Sequence, residues 1–154
     1  VRTITSIAVH HTAGREGTQT WDAIRRYHVE SRGWRDIGYH YGIGQWGTGE
    51  FVIMIGRPLA EAGAHVKNYN SSSIGVVFEG NFEDEQPHQQ QLELGALCIS
   101  DLCARYRLTS QDVRGHREYA GAQTACPGRL FPISTLRGMV SDRLRWRKER
   151  GVDA

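Results

Sequence analysis

The chain has 154 residues, 39% of them apolar and 23% charged, and carries a formal net charge of +2. That length suits one domain around one core, with the balance of an ordinary globular protein. The small net charge argues against a nucleic-acid partner, which needs a clustered basic face; no apolar run approaches the ~20 residues of a membrane span; and three cysteines are too few, and an odd number, for a disulfide scaffold.

In chain order, Ile4 to Thr12 reads as a strand in which Ile7 and Val9 alternate with Ala8 and His10. The N-terminus shows no secretory pattern, and the start at Val1 rather than Met reads as a processed or trimmed form, so the cellular address is not legible there. Thr18 or Thr20 can cap a helix from about Trp21 to Ser31, with apolar Trp21, Ile24 and Tyr27 spaced by three and Gly33 stopping it. Tyr39 to Gln45 and Phe51 to Ile55 read as strands joined by a turn at Trp46-Gly47-Thr48-Gly49. Ile74 to Phe78 is a β-branched apolar run suited to a central strand. Pro87 opens a long helix reaching about Arg107, striped by Leu92, Ala96, Ile99, Cys103 and Tyr106. Cys98 and Cys103, five apart on that helix, read as small buried side chains. Residues 112 to 131 lack periodicity yet hold His, Cys, Gly and Pro, as functional loops often do. A second Pro-led helix starts near Pro132, carries Ile133, Leu136, Val140 and Leu144, and becomes a basic helical tail from about residue 141. That tail reads as a solvated helix end or the start of a linker rather than a binding patch. Strands and helices are interspersed, so the expected class is α/β, a single domain with a mainly central sheet.

Three residues form a candidate metal site: His10, His116 and Cys126. Catalytic zinc commonly takes three protein ligands, from imidazole nitrogen and thiolate sulfur among others, and keeps one position open. Strand parity chooses between His10 and His11. Neighbours on a strand point to opposite faces; His11 shares its face with Ile7 and Val9, whereas His10 shares the small, polar face of Ala8 and Thr12. His10 is therefore the ligand and His11 a packed or supporting histidine. One thiolate lowers the charge of the site, so a further group is expected to stabilise a developing oxyanion. His28, His40 and His88 read as surface or helix positions without a special role.

The surroundings of these residues resemble type 2 N-acetylmuramoyl-L-alanine amidases, a family that includes phage lysozyme-type amidases and animal peptidoglycan recognition proteins. The resemblance rests on Ala8-Val9-His10-His11-Thr12-Ala13, Gly33-Trp34-Arg35-Asp36-Ile37-Gly38-Tyr39-His40, Gly63-Ala64-His65 with Tyr69-Asn70, Ser73-Ile74-Gly75-Val76-Val77, Gly115-His116-Arg117-Glu118 and Thr124-Ala125-Cys126-Pro127-Gly128. These segments occur in the family's order and span about residues 8 to 128. The resemblance implies a mixed central β-sheet flanked by helices across a domain of residues 1–154, with one zinc ion in a surface groove held by His10, His116 and Cys126. It implies Tyr39 as the catalytic tyrosine and makes Thr124, two residues before the cysteine where phage lysozyme-type members have lysine, a second catalytic candidate in oxyanion assistance. His65 is expected beside the groove, to bind substrate or stabilise the transition state, and Trp34 and Asn70 are further groove candidates for substrate. Glu79 is a candidate general base, although the first of the two strand carboxylates seen in cytoplasmic members is replaced by Val77. The spacing from His116 to Cys126 is slightly longer than the family pattern, which implies a loop bulge around Ala120 to Ala122.

The reading is thus a zinc hydrolase acting on the amide between N-acetylmuramic acid and L-alanine of bacterial peptidoglycan, as an endolysin or autolysin. It is expected to be a monomer without nucleic-acid partner or membrane span, secreted or released from a host cytoplasm during phage lysis. Its rivals are a non-catalytic peptidoglycan-binding domain, a cytoplasmic muropeptide-recycling amidase and a structural zinc site in an unrelated domain.

Overall fold

The computed structural model describes residues 1–152, so the last two residues of the domain expected over 1–154 lie outside it. Five strands, β1 (Ser6–His11), β2 (Tyr41–Gly44), β3 (Val52–Ile55), β4 (Ser73–Phe78) and β5 (Val113–Gly115), form one sheet in the order β3-β2-β4-β1-β5. β4 pairs in parallel with β1 and β2, and β1 with β5, while β2 and β3 form an antiparallel hairpin, so the sheet is mixed. Three helices complete the domain: α1 (Trp21–Arg26), α2 (Gln89–Tyr106) and α3 (Ile133–Glu149).

Period-two alternation assigns the faces. Ile7 and Val9 of β1, with Ile74, Val76 and Phe78 of β4, point to the side covered by α2 and α3 and form the main core with Leu92, Ala96, Ile99, Cys103, Leu136 and Val140. Every residue of β4 is buried, as expected of a central strand covered on both faces. The opposite face carries Ala8 and His10 of β1 and Gly75 and Val77 of β4. There Trp21, at the start of α1, packs on Trp46 and Val77 and donates from Nε1 to the Ile55 carbonyl at 3.2 Å. Gly42 permits this close approach, because a Cβ there would stand 2.2 Å from the Trp21 ring.

α1 begins where Thr20 accepts from the Ala23 amide at 3.1 Å, which decides between the two threonine caps. It continues as a wider π turn over Tyr27–Ser31, and Gly33 follows at φ +73°. Trp21 is buried but Tyr27 is 54% exposed, so the expected apolar row of this helix turns from core to surface along its length. The segment expected to lack secondary structure contains β5 and a 3-10 turn over His116–Glu118. A three-residue strand is too short to show a period and exists because β1 offers a free edge. The basic tail is the end of α3 and folds back on α2. Arg143 donates to Ser100 Oγ at 3.3 Å, and Arg147 pairs with Asp101, so two of its cations are packed rather than solvated.

Candidate metal centre

His10, His116 and Cys126 converge, with their ligand atoms all within 4.8 Å of one another. Each arrives from a different element: His10 from the end of β1, His116 from the residue after β5, and Cys126 from the following loop. The sheet makes this possible, because β1 and β5 are neighbours and the His116 segment returns to Cys126 through an Arg117 amide to Cys126 carbonyl bond of 2.8 Å. The extra loop is a tight turn, in which the Ala122 amide donates to the Tyr119 carbonyl at 3.1 Å and Gly121 takes φ +83°.

Parity holds within the site. His10 is 2% exposed, with its Nδ1 3.7 Å from Cys126 Sγ. His11 points the other way, stacks on Phe82 with ring centroids 6.0 Å apart, and accepts from the Phe82 amide at 3.1 Å. Its own backbone amide points at Cys126 Sγ from 3.4 Å. Burial, followed by the neighbouring His65, His116 and His11, holds His10 well below the usual imidazole range, and burial also lowers His116. Both rings therefore offer neutral nitrogen at neutral pH. Burial pushes the Cys126 thiol up to about 11, so metal uptake there releases a proton. Two imidazoles and one thiol in this spacing, on half-open ground, match the donor set of a catalytic zinc site with a free position.

Tyr39 stands beside the trio, its ring centroid 5.3 Å from that of His10. Burial, with the Cys126 sulfur second, raises its pKa, so the phenol remains a neutral proton donor. Clefts flank the trio. One, of about 670 Å³, is lined by Thr12, Gln19, Thr20, Ile24, Tyr27, His28 and Tyr39, among others; the other, of about 420 Å³, by Lys67, Asn68, His116, Tyr119, Gln123 and Thr124, among others. The first cleft reaches the site at Tyr39 and the second at His116. Thr124 is exposed in the second cleft, its hydroxyl accepting from the Cys126 amide at 3.1 Å.

The remaining candidates have other partners. Trp34 packs on His28 at 4.7 Å with the Arg32 guanidinium 5.1 Å above its ring, and it braces the cleft wall rather than lining it. The Asn70 carboxamide oxygen accepts from both the His65 and Val66 amides at 2.8 Å, which shapes the loop. His65 hydrogen-bonds His10, with Nδ1 2.9 Å from His10 Nε2. Glu79 is fully buried, and its carboxylate accepts from the amides of Gln45, Trp46 and Gln19 at 2.9, 3.0 and 3.1 Å. With three backbone donors on its two oxygens it anchors loops and is not placed to act as a base.

Two histidines read as unremarkable have definite places. His40 is fully buried; its Nδ1 accepts from the Gly75 amide at 3.0 Å and its Nε2 donates to the Glu61 carbonyl at 2.8 Å. His28 lines the first cleft and accepts from the Gly38 amide at 3.0 Å. The signal for His28 was present: Thr20, Ile24, Tyr27 and His28 share one helical face, which is the face lining the cleft.

The family model for N-acetylmuramoyl-L-alanine amidase matches residues 1–129. Peptidoglycan-recognition protein SC2 of Drosophila melanogaster is 36% identical over 128 residues, 78% of this chain and 66% of that protein, so the match spans slightly less than two thirds of the relative. Among solved structures, the N-acetylmuramoyl-L-alanine amidase LysC from Clostridium intestinale superposes with a TM-score of 0.78 at 31% identity, covering 89% of this chain and 85% of that one. The Ph2119 endolysin of a Thermus scotoductus bacteriophage gives 0.75 at 26% identity, over 91% and 86% of the two chains.

Proposed function

The chain belongs to the N-acetylmuramoyl-L-alanine amidase family, and we propose that it is a catalytic member, hydrolysing the amide between N-acetylmuramic acid and L-alanine in bacterial peptidoglycan with one zinc per chain. The observation that carries this reading is the complete His-His-Cys group beside a half-buried phenol: His10, His116 and Cys126 with ligand atoms within 4.8 Å of one another, and the Tyr39 ring against His10. A domain that only binds peptidoglycan has no need of either.

A bound zinc would supply a Lewis acid and bring the ionisation of water toward pH ~7. The protein supplies the rest. The clefts on the two sides of the site accommodate the glycan and the stem peptide, so that the scissile carbonyl lies between them and beside Tyr39. The Tyr39 phenol, kept protonated by burial, donates a hydrogen bond to the carbonyl oxygen as negative charge develops there. Thr124 is the second candidate donor, since its hydroxyl accepts from a backbone amide and keeps its own proton available. Water adds to the carbonyl carbon, one of its protons passes to the amide nitrogen, and the C–N bond then breaks, releasing the lactyl carboxyl group and the amine of L-alanine. Among the described residues no helix is long and apolar enough to cross a membrane; we propose a monomer acting on polymeric wall, as an endolysin or autolysin does.

Incubating purified wall with the protein and analysing the products by mass spectrometry tests this reading. Free stem peptides beginning with L-alanine should accumulate, and a chelator should stop them. Bound but uncut wall would make the chain a recognition domain instead.

A further inference from the structure

A chain of hydrogen bonds leads from the backbone to His10, and its direction is fixed at the far end. Ser73, fully buried at the start of β4, gives its one hydroxyl proton to the Tyr69 carbonyl at 2.7 Å. Toward His65 Nε2, 3.5 Å away, Ser73 Oγ can therefore only accept. His65 then carries its proton on Nε2, which leaves Nδ1 as a lone pair facing His10 Nε2 at 2.9 Å. That contact requires the proton on His10 Nε2, so His10 Nδ1 is the unprotonated nitrogen. Nδ1 is also the atom that faces the other ligands, 3.7 Å from Cys126 Sγ.

The loop holds His65 for this task. Asn70 Oδ1 takes the amides of His65 and Val66, and the ring lies over Gly75, where a Cβ would come within 2.7 Å of it. By contrast, no hydrogen bond to the His116 ring is found among the described residues. Orientation from behind is thus concentrated on His10.

We infer that His65 is a positioning residue for the metal rather than a substrate contact, and that with Ser73 and the Tyr69 carbonyl it fixes the His10 tautomer that presents Nδ1 to zinc. This rests on the zinc reading above. Partners of this kind typically set metal affinity by about 10- to 100-fold.

The test is zinc affinity by chelator competition on the wild type, His65→Ala, His65→Asn and Ser73→Ala, with circular dichroism to check the fold. His65→Ala should bind zinc about 10- to 100-fold more weakly. His65→Asn, whose Oδ1 can stand near the original Nδ1, should recover most of the loss, and Ser73→Ala should fall between. Wild-type affinity in His65→Ala, with a raised KM alone, would make His65 a substrate contact and overturn the inference. A wild type that binds no zinc would instead overturn the metal reading itself. Should His65→Ala not fold, imidazole ¹⁵N spectra of zinc-loaded wild type decide. His65 protonated on Nε2 alone supports the inference; a proton on its Nδ1 overturns it.

Discussion

At the scale of single residues, the proposed reaction assigns charge stabilisation to Tyr39 and ligation to Cys126. Tyr39 is no ligand, so Tyr39→Phe should keep both zinc and fold. Loss of one donor to a developing oxyanion typically costs about 100- to 1000-fold in turnover, so the drop should appear in kcat with KM nearly unchanged. Full kcat in steady-state kinetics would remove Tyr39 from the chemistry and promote Thr124. Cys126 and Cys98 make a second comparison. Both thiols are pushed up by burial, to about 11 and about 12, but only Cys126 faces two histidines. Cys126→Ser should lose zinc by metal analysis and Cys98→Ser should retain it, because thiolate is a far better zinc ligand than hydroxyl.

At the scale of elements, Glu79 shows how a residue beside a site can serve the frame instead of the reaction. Its carboxylate ties the β2–β3 turn, through the Gln45 and Trp46 amides, to the loop before α1, through the Gln19 amide. Glu79→Ala would strand three amides at a buried position and should cost about 3 kcal/mol or more, a melting-point drop of roughly 6–12 °C in a domain of this size. The protein that remains folded should turn over substrate at close to the wild-type rate. A large loss of kcat without a loss of thermal stability would restore Glu79 as a base. The short strand β5 makes a related point: its three residues carry no pattern of their own, yet they set His116 beside His10.

At the scale of the whole molecule, stability should depend on pH through its buried histidines. Burial is the main cause that lowers His40, to about 4, against ~6.5 in an unfolded chain. Between those values the unfolded state binds a proton that the folded state does not, so stability falls as pH falls through this window and is fully present above it. His40 alone accounts for about 3 kcal/mol across the window. Urea unfolding at pH 7 and pH 4.5, with chelator present, should show that decline, and His40→Gln should make it shallower. An unchanged pH dependence in that variant would mean that His40 is not buried as the neutral form.

The sequence by itself determined the periodic elements and singled out His10, His116 and Cys126, which the fold brings together. Alternation along β1 separated His10 from His11, because a strand turns neighbouring side chains to opposite faces whatever it packs against. Helix patterns and Pro starts located α2 and α3 for the same local reason. What only the tertiary structure decided was which polar groups meet across long separations: His65 with His10, Glu79 with Gln19 and Trp46, His40 with Gly75 and Glu61. Those partnerships depend on strand order and loop path, which period and propensity do not encode. His65 and Glu79 therefore read as free candidates in the sequence and His40 as a position without a special role, whereas in the fold the hydrogen-bonding groups of all three are occupied.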